Sequence, residues 1–147
     1  MDLILRGANF ADGRREQDIG IEGGRIVAVQ PRLAAEAGRV IDVHGYLVSA
    51  PFVDAHFHMD ATLSLGLPRL NRSGTLLEGI ALWGELKPLL TVDAIVERAM
   101  AYCDWAVAKG LLAIRSHVDI CDPRLLAVEA LLEVKRQVKP YLSIYSS

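Results

Sequence analysis

From Pro51 onward, strand-length apolar runs alternate with stretches of helical periodicity, and a proline or glycine marks nearly every change. Leu47 to His58 reads as a strand, with Pro51 at its start or at a bulge rather than inside a central ladder. Leu76, Leu77, Ile80 and Ala81 recur at helical spacing until Pro88 stops them. The next helix is the clearest: Thr91 is the N-cap, Val92, Ile95, Val96, Ala99, Met100, Cys103, Ala106 and Val107 form its apolar stripe, and Gly110 lies just past its end. Leu111 to Asp119 reads as a buried strand. Asp122, with Pro123 at the first helical position, opens a helix carrying Leu125, Val128, Leu131, Leu132 and Val138, and Pro140 closes it. Tyr141 to Tyr145 begins a further strand. This alternation is the grammar of a parallel sheet with right-handed crossovers, so the fold class is α/β. An open sheet and a closed barrel use the same repeat. The sequence lacks G-x-G-x-x-G and Walker loops, the usual nucleotide signals of an open sheet, which favours the barrel.

The first fifty residues are organised differently. Short runs at Leu3–Arg6, Asp18–Glu22, Arg25–Val29 and Arg39–Val43 are separated by turn residues, and Gly23-Gly24 between two of them is a hairpin signal. We expect a small β-domain over residues 1–50 and an α/β domain over 51–147. Four or five strands do not cover both faces of a sheet, so this β-domain is incomplete by itself.

Composition excludes several classes of function. The 147 residues are 52% hydrophobic and 23% charged, which rules out disorder as the dominant state. Sixteen Lys and Arg against eighteen Asp and Glu give a net charge of -2, too little positive field for nucleic acid or anionic lipid. No window suits a membrane span, and Met1-Asp2-Leu3 does not begin a signal peptide, so the expected location is cytoplasmic. Cys103 and Cys121 are too few for a disulfide framework and read as packing residues, as do Trp83 and Trp105. His44, in a turn, is assigned no role.

Asp54-Ala55-His56-Phe57-His58-Met59-Asp60 carries the most chemistry. Strand alternation would place Asp54, His56, His58 and Asp60 on one face and Ala55, Phe57 and Met59 on the other. Imidazoles at i and i+2 stand roughly 6.6 Å apart at Cα, near enough to converge on one divalent ion. A neighbouring carboxylate can orient a ring or complete such a site. His56 and His58 are therefore the candidate metal ligands. Arg115-Ser116-His117-Val118-Asp119 ends the next strand, and the same alternation places Arg115, His117 and Asp119 together. Two readings of this set stand: residues surrounding the metal or touching substrate, or a buried Arg115–Asp119 pair bonded to His117.

Pro51-Phe52-Val53-Asp54-Ala55-His56-Phe57-His58-Met59-Asp60 resembles the first barrel strand of the amidohydrolase superfamily, which ends in a His-x-His metal pair. Asn71-Arg72-Ser73-Gly74-Thr75-Leu76-Leu77-Glu78-Gly79-Ile80, Trp83, Arg115-Ser116-His117-Val118-Asp119 and Leu132-Glu133-Val134-Lys135 are similar to the cytosine deaminase-like subgroup. The resemblance implies the N-terminal part of a metal-dependent (β/α)8 (TIM) barrel preceded by a small β-sandwich-like domain, both incomplete here. It implies one divalent ion, Fe or Zn, with His56 and His58 as ligands, Leu76 as a substrate contact, and Asp60, His117 and Asp119 around them. The implied substrate is a small nitrogen heterocycle such as cytosine, hydrolytically deaminated by a homo-oligomer. Such a barrel takes about 250 residues, and Pro51 to Ser147 is well under half of that. The family's catalytic glutamate and remaining ligands have no counterpart here and are expected beyond the C-terminus, so no general acid or base is assigned. Two alternatives remain open: hydrolysis of another C–N bond, as in an aminotriazine, a cyclic amide or a creatinine-like ring, and a truncated non-catalytic remnant.

Overall fold

The computed structural model describes residues 1–146, which form two compact units, Met1–Ala50 and Pro51 onward. The first unit is a four-stranded sheet of β1 (Leu3–Ala8), β2 (Gln17–Glu22), β3 (Arg25–Gln30) and β4 (Arg39–Asp42), ordered β3-β2-β1-β4. β2 runs antiparallel to β1 and β3, and β4 is parallel to β1. The β2–β3 connection is the Gly23-Gly24 pair, both at positive φ (56° and 72°), a conformation that side chains resist. Ile4 and Ile19 are fully or nearly fully buried. The carboxylate of Asp18 is buried beside them, paired with Arg6 and accepting the Gly7 and Leu33 N–H groups at 3.1 and 2.8 Å.

The second unit contains β5 (Phe52–Phe57), α1 (Leu76–Leu86), a 3-10 turn at Lys87–Leu89, α2 (Val92–Ala108), β6 (Leu111–Ser116), α3 (Leu126–Val138) and β7 (Ser143–Ser146). Its three strands are parallel in the order β5-β6-β7, the α/β architecture of a barrel's opening strands. Helices α2 and α3 bury Ile95, Ala99, Cys103, Ala130, Leu131 and Val134 against Ile114 and Ile144 of the sheet. Thr91 caps α2 by accepting the Ala94 N–H at 3.2 Å, and Gly110 follows the helix at φ 79°. Thr75 caps α1, where Glu78 three residues on returns the interaction by accepting the Ser73 N–H at 2.6 Å. No helix of the described residues is long and apolar enough to cross a membrane.

Several expectations are corrected. Leu47 makes only an isolated bridge to Asn9, and the strand begins at Phe52. Asp122 does not cap α3: its side chain accepts the Arg124 N–H at 3.0 Å and its carbonyl accepts the Leu125 N–H at 2.9 Å. These bonds close a separate turn around Pro123, after which Leu125 at φ 52° admits the chain to the helix without a side-chain cap. Trp105 is 62% exposed and Cys121 is also exposed, so neither packs in the core. A local stripe shows which residues are apolar, but it does not show whether another element covers that sector of the helix.

Candidate metal centre

The ladder between β5 and β6 determines which side chains reach the site. Asp54 pairs with Ile114 and Phe57 with Ser116, so β5 spends one residue more than β6 over this stretch, a bulge around Ala55-His56. The bulge breaks the expected alternation. Asp54 and Phe57 both meet Tyr102 of α2: the phenol donates to Asp54 Oδ2 at 3.4 Å, and the Phe57 and Tyr102 rings stack at 4.2 Å. Burial first, then the charge of Asp54, raises the Tyr102 pKa to about 12. The Asp54 carboxylate thus faces α2 with Oδ2, while Oδ1 accepts the His56 main-chain N–H at 3.1 Å, so it braces the bulge rather than standing beside the imidazole rings.

His56 and His58 remain together, with ring centroids 5.4 Å apart. His117 joins them from the end of β6, 4.0 Å from His56 and 5.6 Å from His58. Its main-chain N–H donates to the Phe57 carbonyl at 2.7 Å, extending the pairing of the two strands by one residue. Desolvation, followed by His56, Arg115 and His58, lowers the His117 pKa. A neutral ring keeps a nitrogen lone pair available, so the donor chemistry suits Zn or Fe. Among the described residues no three His, Cys, Asp or Glu side chains already converge as a complete ligand set. His56 and His58, with the His117 ring beside them, are the residues of this cluster that could contribute imidazole ligands.

Asp60 and Asp119 do not face the ring cluster as strand residues would, because β5 ends at Phe57 and β6 at Ser116. Asp60 is buried in the turn after β5, where its carboxylate accepts the Ala61 and Asp119 N–H groups at 3.0 and 2.9 Å. Asp119 Oδ2 accepts from Trp83 Nε1 and Lys87 Nζ, each at 2.6 Å, and Oδ1 accepts from Cys121 N–H at 2.7 Å. The Lys87 interaction leads these in holding the Asp119 carboxyl well below the usual carboxylate range. Arg115 is exposed, and Asp119 is paired with Lys87 instead, which removes the proposed Arg115–Asp119 pair. Sequence reading missed Lys87 entirely and gave Trp83 only a packing role. Their i, i+4 spacing, from the last turn of α1 to the residue that caps it, is the signal that they can share a partner.

A cavity of about 450 Å³ beside this cluster is lined by His58, Asp60, Ala61, Trp83, Val118 and Asp119. Leu76 begins α1, is 78% exposed, and does not line it. His44 lies in the first unit, where Asp42 accepts from its ring and raises its pKa.

The chain has known relatives. A crystal structure of 5-methylcytosine deaminase from Klebsiella pneumoniae, liganded with 5-fluorocytosine, matches with a TM-score of 0.89 at 34% identity, over 97% of this chain and 35% of that one. N-isopropylammelide isopropyl amidohydrolase of Pseudomonas sp. strain ADP is 32% identical over 152 aligned positions, 97% of this chain and 37% of that protein. The atrazine chlorohydrolase of Arthrobacter aurescens, in a structure complexed with zinc, shares the fold with a TM-score of 0.67 at 20% identity, over 99% of this chain and 35% of that one. The chain spans little more than a third of the length of these proteins. Residues 39–144 match the family model described as the amidohydrolase family, and to that family this chain belongs.

Proposed function

We propose that this chain supplies the metal-holding opening of a hydrolase that cleaves a C–N bond of a small nitrogen heterocycle, with deamination of cytosine or a near relative as the leading reaction. The observation that carries the reading is the gathering of His56, His58 and His117 at the ends of two neighbouring parallel strands, where sites assemble in such folds. His56 and His58 hold one divalent ion, Zn or Fe. When bound, the ion supplies a polarising charge that makes water nucleophilic near neutral pH. His117 crowds His56 from the neighbouring strand and limits how its ring can turn. Leu76, at the exposed start of α1 and outside the cavity beside His58, is proposed to reach the substrate ring through main-chain groups, since fixed donors and acceptors are discriminated by such contacts. No residue of this chain is assigned the proton transfers, so the chain alone is expected to be inactive.

Hydrolysis of an N-alkylated aminotriazine is the second reading, favoured by the Pseudomonas relative, which aligns with almost the whole chain. Release of ammonia or alkylamine distinguishes the two. The assay takes cytosine, 5-methylcytosine, aminotriazines, cyclic amides and creatinine with added Zn²⁺ or Fe²⁺, first with this chain and then with a polypeptide in which it continues into a complete barrel. Ammonia from the pyrimidines by the latter alone supports the leading reading. Amine from the triazines supports the second, and C–N hydrolysis of none of them by the complete barrel rejects both.

A further inference from the structure

We propose that Asp119 is a positioning residue for the metal pair: it ties the loops after β5 and β6 to α1 and so fixes His58 and the Trp83 indole as walls of one cavity. The inference rests on the reading of His56 and His58 as metal ligands. His58 follows the last residue of β5, so the sheet ladder does not set its place. What holds the loop is a series of polar contacts. Met59 N–H donates to Ser116 Oγ at 3.2 Å, and Asp60, only 1% exposed, accepts the Asp119 N–H at 2.9 Å. From Asp119 the connection continues to Trp83 Nε1 and Lys87 Nζ, both at 2.6 Å.

Each contact has a physical reason to matter. A carboxylate accepting a charged and a neutral donor at once makes stronger bonds than a neutral acceptor would, and the half-buried setting strengthens them further. The indole N–H has one donor direction, so an acceptor fixed at 2.6 Å restricts how the ring can turn. Trp83 and His58 line the same cavity of about 450 Å³, and a displacement of one wall alters the space beside the other. An asparagine at 119 keeps the size and one acceptor oxygen but loses the charge that engages Lys87.

The test measures Co²⁺ affinity and the Co²⁺ absorption bands in a polypeptide where this chain continues into a complete barrel, for the parent, Asp119→Asn, Lys87→Met and the double variant. Asp119→Asn is expected to weaken Co²⁺ binding about tenfold or more and to shift the bands, because supporting residues of a metal site typically carry effects of that size. Lys87→Met is expected to do the same in smaller measure. The double variant is expected to fall short of the sum, since both changes break one ion pair. In a Trp105→Phe background, the Trp83 indole N–H resonance of the metal-free chain should move in Asp119→Asn. A purely structural role would lower the urea midpoint and leave the bands of the folded protein in place. Asp119→Asn with Co²⁺ affinity within about twofold of the parent, well short of the effect expected of such a residue, overturns the inference. If Asp119→Asn does not fold, unchanged affinity and indole resonance in Lys87→Met overturn it instead. A complete-barrel parent that binds no Co²⁺, or His56→Ala and His58→Ala variants of it that bind the ion fully, overturns the metal reading itself.

Discussion

The ring of His117 lies 4.0 Å from that of His56, tilted by 33°, although two helices and a strand separate them along the chain. Parallel pairing of β5 with β6 brings the two strand ends side by side. The bulge in β5 then decides which residues meet His117: it sends Asp54 to Tyr102 and leaves His56 beside His117.

Ser116 is fully buried, and its hydroxyl accepts the Met59 N–H next to His58. Ser116→Ala leaves that donor without its partner and should cost about 1–3 kcal/mol. Urea unfolding of the two proteins measures it, and amide exchange over residues 58–61 should quicken in the variant.

Glu78 supports the start of α1 through Ser73 and Arg69, and these contacts lower its pKa from the ordinary 4.5 to about 2, Ser73 contributing most. A carboxyl depressed on folding contributes stability that is present above its unfolded pKa and lost as pH falls towards the folded one. The stability advantage of the parent over Glu78→Gln should therefore be full above pH 4.5 and shrink between 4.5 and about 2. Denaturation midpoints at stepped pH follow the difference. A constant difference across that window would contradict the assignment.

Leu131 and Leu132 are neighbours on α3 with opposite surroundings, 1% and 59% exposed. Leu131→Ala removes core contacts and should cost about 2–5 kcal/mol. Leu132→Ala should stay within about 0.5 kcal/mol of the parent. Chemical denaturation separates them directly.

Phe52, Val53 and Tyr145 on the three-stranded sheet are 65%, 67% and 62% exposed. Apolar exposure of this kind, next to strand edges with unpaired main-chain groups, favours association. Light scattering on the isolated chain at micromolar concentration should show species larger than a monomer. A monodisperse monomer would contradict this.

What the sequence revealed depended on the range of the interaction. The stripe of α2 was legible because Ile95, Ala99 and Cys103 repeat along one element, and all three are fully buried. The Gly23-Gly24 hairpin was legible because two successive positive φ values favour glycine. The bulge at His56 was not, since it is a mismatch between two strands and neither shows it alone. For the same reason Asp54 was grouped with the histidines. Asp122-Pro123 had the composition of a helix start, but its side chain bonds within its own turn. At the site, the pairing of His56 with His58 could be seen in two letters of sequence and the resemblance grouped His117 with them, whereas the 4.0 Å approach of the His117 ring to His56 and the Lys87–Asp119 bond required the third dimension.

The central claim is that His56 and His58 bind a metal ion, and elemental analysis after equilibrium dialysis against Zn²⁺ tests it most directly. A polypeptide in which this chain continues into a complete barrel should retain the ion, and His56→Ala and His58→Ala in it should each lose most of it, because each removes one imidazole from a site with few protein ligands. Full metal content in both variants would contradict the account.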